Sequence, residues 1–438
     1  MQSVFQIMSK IEKTIIWSLT CIFSLYSFYV AYTLRQTYGK TASPSSADGD
    51  YEYNAWRKSV VSLTAMNVVY LASCYSVRNN LPGRYHKPCR LAMGLVMLSS
   101  ILSVNAMVLM VAYMGVFFVL VAASRSKVVV WLAILFSIHA TQSRRMMNVP
   151  FDFFGVERQY ETVCRLCLFI AYLKCLDFGC DVVYKTSPQA YKNNEISKSG
   201  ETKDVKVDDE DILQKLLDFL DYIFYVPLFF HGPVFTMKDF TYGDKHRASI
   251  NKIEVLKDAF TCVVYTFFMD QVIFKYTSTT ITKKYPGFLH DLSGFDSMLL
   301  ASYHVQIFCV IYVIFYRFGG LFTKLDGHVP PGTPKCAHMM LTFTNMWRTF
   351  DQGLYKILQK NIYFPMGGSR RGLPMQLLSS FFCFVFVAYW HGGQRANHIV
   401  WGLLNWLGII IEAIGRFVMQ RYASKDFMRN NLVLSVLH

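Results

Sequence analysis

Phe381-Phe382-Cys383-Phe384-Val385-Phe386-Val387-Ala388-Tyr389-Trp390-His391-Gly392-Gly393 is a run of ten apolar residues that ends in an imidazole and two glycines. The glycines supply the backbone freedom that stops a helix and lets a ligand approach the chain closely. The run reads as a membrane helix with an ionisable group at its end. Forty residues upstream, Trp347-Arg348-Thr349-Phe350-Asp351 sets a carboxylate in similar company. Ionisable groups at bilayer depth cost about 3 kcal/mol each, which makes them functional candidates by default. Histidine exchanges a proton near neutral pH. His391 therefore reads as a general base, and Asp351 as the group that orients a nucleophile or steadies the imidazolium. A histidine paired with a carboxylate in an apolar tunnel suits acyl transfer on a lipid-like substrate. The plainer alternatives are a His391 that caps a helix end and an Asp351 paired with Arg348 or a lysine at the interface.

The remainder of the chain agrees with a membrane setting. Of 438 residues, 53% are hydrophobic, 16% aromatic and only 17% charged, with a mean hydropathy of +0.27. Soluble domains carry about 25% charge. The expected architecture is all-α, a polytopic transmembrane helix bundle rather than a string of domains. The net charge of +15 comes from short basic groups beside apolar runs, such as Arg144-Arg145 and Lys283-Lys284. These read as membrane flanks and contacts to lipid headgroups. No nucleic-acid motif is present, so nucleic acid is not an expected partner. The eleven cysteines are scattered, and Cys164 and Cys167 form one CxxC with no second pair. Neither a zinc site nor a disulfide framework is expected.

Apolar runs at 14–34, 60–77, 91–123, 128–140, 160–178, 213–230, 256–274, 297–316, 376–390, 400–417 and 432–437 are the candidate helices. The first lacks a small-residue cleavage site and is expected as a retained helix. The 91–123 run fits one tilted helix or two that meet near Asn105. Several runs are short for a crossing of about 20 residues. With their Gly and Pro interruptions they suggest re-entrant or broken helices around a central tunnel, where protein or water covers the irregular backbone. Segments 35–57 and 185–211 are polar and read as exposed loops. The organisation expected is an N-terminal set of helices over 1–159 and a core over 160–438. No internal repeat appears, which argues against a transporter.

Three further sites stand out. Tyr363-Phe364-Pro365-Met366-Gly367-Gly368-Ser369-Arg370-Arg371-Gly372 combines glycine-freed amides with two guanidiniums, a composition suited to phosphate; a plain basic turn is the alternative. Cys336 follows a Pro-rich stretch and reads as a buried or reactive thiol. His231, in Phe229-Phe230-His231-Gly232-Pro233, is expected to be structural or tunnel-lining.

Taken together, Met346-Trp347-Arg348-Thr349-Phe350-Asp351-Gln352-Gly353-Leu354, Tyr363 to Ser369, Tyr389-Trp390-His391-Gly392-Gly393 and Leu404-Asn405-Trp406-Leu407-Gly408 resemble the membrane-bound O-acyltransferase superfamily. Within it they are most similar to the protein-cysteine N-palmitoyltransferases. The segments Tyr225 to Val234 and Lys174 to Gly179 fit the same pattern. The resemblance implies that His391 is the catalytic histidine and Asp351 the carboxylate of the site. It implies that Trp347 lines a tunnel and responds to the acyl chain, and that Arg348, Arg370, Arg371, Trp390 and Asn405 belong to the acyl-CoA path. It implies that Cys336 ligates the iron of haem b. The implied donor is palmitoyl-CoA, and the implied acceptor is the N-terminal cysteine of a secreted, Hedgehog-like protein. The implied setting is a monomer, surrounded by membrane lipids, with several passes through the endoplasmic reticulum membrane. The family's pattern runs on for further membrane segments, so a C-terminally short core is expected here. O-acylation of a serine hydroxyl or a lipid stays open as an alternative, as does a non-catalytic lipid- or haem-binding regulator.

Overall fold

The structure, a computed structural model, describes residues 2–38, 51–185, 212–277, 290–335, 340, 342–392 and 396–422. Among the described residues every regular element is helical. The chain opens with α1 (Gln2–Tyr38), α2 (Tyr51–Asn80), α3 (His86–Leu102) and α4 (Val104–Ser124). The expected 91–123 run is thus two helices, and the break falls at Ser103 rather than Asn105. Ser103 has a φ of 95°, which ends α3, while its hydroxyl accepts from Ala106 N and caps α4. Asn105 instead donates to Gly155 O at 2.9 Å. Helix also takes both ends of the segment expected as a polar loop over 35–57. Arg35 donates to the carbonyls of Phe274 and Thr277 at 2.7 and 2.6 Å, a cation on the open end of another helix. The expected helix at 432–437 and nearly all of the 185–211 loop lie outside the described residues.

Next come α5 (Lys127–Gln142), α6 (Arg144–Phe154) and α7 (Arg158–Lys185). Every residue from 171 to 180 in α7 is buried, so this helix runs through the interior with protein on all sides. Its ionisable residues are satisfied there. Lys174 donates to the carbonyls of Tyr222 and Ile223, the open C-terminal end of α8 (Ile212–Ile223). Asp177 accepts from Lys360 Nζ at 2.7 Å and from Met237 N at 2.7 Å. The run expected as a span at 213–230 stops at Ile223. Pro227 permits only a short 3-10 turn over Val226–Leu228, and Gly232 at φ 121° turns the chain again. Residues 221–229 are all buried, so protein covers this irregular backbone.

The second half comprises α9 (Met237–Lys245), α10 (Lys252–Phe268), α11 (Gly294–Leu325), α12 (Phe343–Phe350), α13 (Gln352–Leu358), α14 (Leu373–Trp390) and α15 (Ala396–Tyr422). Both α10 and α13 widen into π turns, at Met269–Ile273 and Gln359–Tyr363. Each turn delivers a polar residue to a distant helix: Asp270 accepts from Tyr53 at 3.1 Å and from Arg57, and Lys360 reaches Asp177. Among the described residues, five helices are long and apolar enough to cross a membrane: Glu52–Asn80, Val104–Ser124, Gly294–Leu325, Leu373–Trp390 and Ala396–Val418. Their outer faces expose Val116, Val119, Leu403, Leu404 and Ile411, a surface that suits acyl chains and not water. The protein is a multi-pass, all-α membrane protein.

A buried charge network closes one end of the bundle. Arg90 on α3 pairs with Asp221 and Asp244, and Asp326, which caps α11, accepts from Arg78 at 2.7 Å, Arg247 at 2.9 Å and Tyr225 at 3.0 Å. The His328 ring sits among them, 3.5 Å from Asp326 and 3.6 Å from Asp244. Burial pushes both carboxyls upward. For Asp326, His328, Arg247 and Arg78 outweigh it, and for Asp244, Arg90, His328 and Arg247 do, so both are held below the usual carboxylate range.

Candidate active site

The end of α14 carries His391. Pro374 in the first turn suits a helix start, and Gly392 at φ 110° makes the stop. His391 N closes the last turn onto Val387 O at 3.0 Å. Two side-chain bonds fix this turn against the interior. Gln142 Nε2 of α5 donates to Tyr389 O at 2.6 Å, and the Trp390 indole donates to Phe169 O of α7 at 3.0 Å. The His391 ring lies edge-on to Trp390, with centroids 4.6 Å apart, and to Trp401 of α15, at 5.7 Å.

Trp347 projects from α12 to the same place. Its ring packs edge-on to Phe384 of α14 at 4.9 Å and tilts against Trp401 at 5.6 Å. Its indole N–H donates to Asn405 Oδ1 at 3.3 Å, and Asn405 in turn donates to Trp401 O at 2.8 Å. The structure therefore brings together Trp347, Trp390, Asn405 and His391. Trp401 joins them and was missed in the sequence. It precedes Asn405 by four residues, so helical spacing places both on one face, a signal that was available.

Asp351 forms the corner between α12 and α13. Its Oδ1 accepts from Leu354 N at 2.9 Å as the N-cap of α13, and its Oδ2 accepts from the Tyr316 hydroxyl at 2.5 Å. Tyr316, not Arg348, is the side chain bonded to it. The start of α13 sits tightly on the broken segment after α8, since a Cβ on Gly353 would come 2.2 Å from Val234 O. The His231 ring of that segment tilts against Phe315 with centroids 4.7 Å apart, and its Nδ1 is buried without a hydrogen bond. In the structure the route from Asp351 to His391 runs back along α12 to Trp347 and across Trp401.

The arginines lie elsewhere. Arg348 is exposed on α12, and Arg370 and Arg371 are exposed on a 3-10 turn, Gly368–Arg371, just before α14. Gly368 N donates to Ser379 Oγ at 3.1 Å, which anchors the turn, and the Arg370 guanidinium stacks on Phe364 at 5.4 Å. Eighteen residues of α14 separate this turn from His391, about 27 Å along the axis. The two arginines thus stand at one end of α14 and the His391 imidazole at the other.

Residues 119–437 match the model of MBOAT, the membrane-bound O-acyltransferase family. The chain belongs to this family. It is 30% identical to the protein-cysteine N-palmitoyltransferase HHAT of Mus musculus over 218 residues, which is 49% of this chain and 43% of that protein. It is 33% identical to the protein-cysteine N-palmitoyltransferase Rasp of Drosophila melanogaster over 109 residues, 25% of this chain and 22% of that protein. With the membrane-bound O-acyltransferase GUP1 of Millerozyma farinosa it shares 24% identity over 290 residues, 62% of this chain and 55% of that protein. The matches thus span roughly a fifth to just over half of the length of these curated relatives.

Two features remain to be placed in this membrane-bound O-acyltransferase family member, a groove and Cys336. A groove of about 270 Å³ opens between α14 and α15, lined by Phe381, Phe384, Ala388, Gly402, Leu403 and Trp406. Phe384 is shared between this groove and Trp347, so an apolar chain in the groove would lie one ring away from the His391 cluster. Cys336, expected as a haem ligand, lies outside the described residues. Lys335, the last described residue before it, donates its N–H to Thr349 O of α12 at 3.3 Å.

Proposed function

We propose that this protein is a membrane-embedded acyltransferase that moves palmitoyl from palmitoyl-CoA to the N-terminal cysteine amine of a secreted protein. The observation that carries the reading is the His391 imidazole at the fixed end of α14, edge-on to Trp390 and Trp401, with Trp401 in turn against Trp347. Arg370 and Arg371 take the phosphates of the donor, and the groove beside Phe384 takes part of the acyl chain. An α-amino group has a pKa of about 8, so it is partly protonated at neutral pH. His391 accepts the proton that the amine must shed as its nitrogen attacks the thioester carbonyl. A C–N bond forms, the C–S bond breaks, and the departing CoA thiolate recovers the proton. Asp351 supplies negative charge on the far side of Trp347, where it steadies the transient imidazolium or orients the amine. Attack by the cysteine thiol followed by an S-to-N shift gives the same amide.

The same reading places a monomer among the lipids of the endoplasmic reticulum membrane. A haem b held by Cys336 belongs to it as an addition, and no step passes through that group. The second reading is O-acylation of a serine hydroxyl or a lipid, and the similarity to the GUP1 proteins favours it. The test is transfer in detergent from labelled palmitoyl-CoA to a peptide that begins with Cys, in wild type and His391→Ala. Label that resists hydroxylamine and disappears in the variant supports N-acylation. Label that hydroxylamine removes from a Ser peptide supports the second reading. Transfer at the wild-type rate by a folded His391→Ala protein sinks both.

A further inference from the structure

One face of α15 runs as a stripe along α12, and its last member is a carboxylate inside a candidate membrane span. Trp401, Asn405, Gly408 and Glu412 succeed each other at four, three and four residues, which puts them on a single helix face. Together they meet α12 at three points, Trp347, Phe343 and Thr344. Trp401 packs on Trp347, and Asn405 accepts from the Trp347 indole. Gly408 makes room for Phe343, since a Cβ there would come 2.7 Å from its ring. Glu412 is buried, with 8% of its surface exposed, and its Oε2 accepts from Thr344 N at 2.9 Å. Its Oε1 is paired with Arg416, one turn on.

Thr344 stands in the first turn of α12, where backbone N–H groups have no partner inside the helix. Thr342 satisfies one of them, at Asn345 N, and Glu412 satisfies another. A negative side chain at this end also suits the helix dipole. The α12 helix has only eight residues and no buried ones, so packing alone holds it weakly. Its far end is fixed by Asp351 and its middle by Asn405. Glu412 is what fixes its start.

We propose that Glu412 is a positioning residue for acyl transfer: it anchors the first turn of α12 to α15, and so sets Trp347 and Asp351 in register with His391. This rests on the function proposed above. An ionisable pair in a membrane span is costly to keep, and a positioning role accounts for it. The mechanism asks for an acceptor at the right reach, not for the charge itself. Glu412→Gln retains a carbonyl oxygen at the same distance. Glu412→Asp retains the charge but withdraws it by one methylene, and Glu412→Leu retains neither.

The experiment measures two things on these three variants in micelles. Hydrogen exchange of the 343–350 amides reads the seating of α12 without any need for activity. Steady-state transfer reads kcat and KM for palmitoyl-CoA. The expected result is faster exchange and a roughly ten-fold or greater fall in kcat for Glu412→Asp and Glu412→Leu, with KM within two-fold of wild type. Glu412→Gln should stay near wild type in both. If Glu412→Leu does not fold, the contrast between Gln and Asp still decides the matter. Full function in Glu412→Asp with loss in Glu412→Gln would overturn the proposal, as would unchanged exchange in both Asp and Leu. If wild type transfers nothing to any acceptor yet exchange follows the expected order, the acyltransferase reading fails and the anchoring role of Glu412 stands.

Discussion

The Tyr316 hydroxyl donates to Asp351 Oδ2 at 2.5 Å, across the contact between α11 and the corner of α12 and α13. The other carboxylate oxygen of Asp351 caps α13 through Leu354 N. One side chain is thus both the proposed charge of the site and a cap in its scaffold. The two roles separate by substitution. Asn ranks with Asp as an N-cap, whereas Ala forfeits about 1 kcal/mol. Asp351→Asn keeps the cap but gives up the charge in the Tyr316 bond, so its thermal midpoint should fall less than that of Asp351→Ala while transfer drops by about 100-fold, the lower end of what a positioned acid–base group contributes. Asp351→Ala should lose both. Tyr316→Phe removes a bond to a charged group, worth about 1.5–3 kcal/mol, and should lower the midpoint while leaving measurable transfer. A midpoint that falls equally in Asn and Ala variants would make Asp351 a scaffold residue alone.

The Trp347–Asn405 bond offers a test of the acyl path. Asn405→Leu leaves a partly buried indole N–H without its partner, a cost of about 1–3 kcal/mol. If that cost falls on the bound state, KM for palmitoyl-CoA rises about ten-fold. The contrast is with Trp347→Phe, which keeps a ring against Phe384 but has no N–H to place. Similar KM values for the two variants would tie the effect to the indole bond. A changed thermal midpoint with KM untouched would assign Asn405 to packing only.

The sequence disclosed the elements whose signal is local. The apolar run before His391 became α14, and the runs around 60–77, 297–316 and 400–417 became spanning helices, because length and hydropathy suffice to define them. The stop at Ile223 was not placed, and the expected run carried on to 230 through Pro227. What stayed hidden was settled by distant partners. Tyr316 sits in an apolar run where a tyrosine attracts no notice, and its partner lies 35 residues away. Gln142 meets Tyr389 O across 247 residues, and Arg35, read as the start of a loop, finds its carbonyls across 239 and 242. The split at Ser103 depended on one backbone angle that no hydrophobic pattern encodes. For the candidate site, His391, Asp351, Trp347 and Asn405 were legible as residues. Their arrangement through Trp401 was not, because it depends on how α12, α14 and α15 pack.

Arg370 and Arg371 are exposed and lie an α14 length from His391, so their contribution should appear in binding and not in chemistry. Replacing both with Gln should raise KM for acyl-CoA about ten-fold at low salt and leave kcat and the thermal midpoint unchanged. Exposed charges are screened over about 10 Å at 0.1 M salt and about 3 Å at 1 M. The gap between variant and wild type should therefore shrink as salt increases. A fall in kcat at constant KM would move these arginines out of a donor-binding role.

Acid should weaken the fold through Asp326 in a way that one substitution can isolate. Its side chain is fully buried among Arg78, Arg247 and His328, which together hold its carboxyl below the usual range against the pull of burial. A carboxyl whose folded pKa lies below its unfolded value of about 3.9 binds fewer protons in the folded state. It therefore contributes stability that is fully present above about pH 4 and is lost as pH falls through the folded pKa. Asp244, depressed chiefly by Arg90, has the same sign. Unfolding midpoints in micelles should be level from about pH 7 to 5 as far as these two groups decide them, and should fall below about pH 4. Asp326→Asn leaves Arg78 and Arg247 without their carboxylate, a loss of about 3–5 kcal/mol for a broken buried pair. That variant should start lower at pH 7 and then descend less steeply in acid, because one of the groups that titrates is gone. The two curves should converge as pH drops, since protonation removes from the wild type what the substitution had already removed. Parallel curves down to pH 2 would mean that Asp326 does not carry the acid dependence, and that the charges around it hold the end of α11 without it.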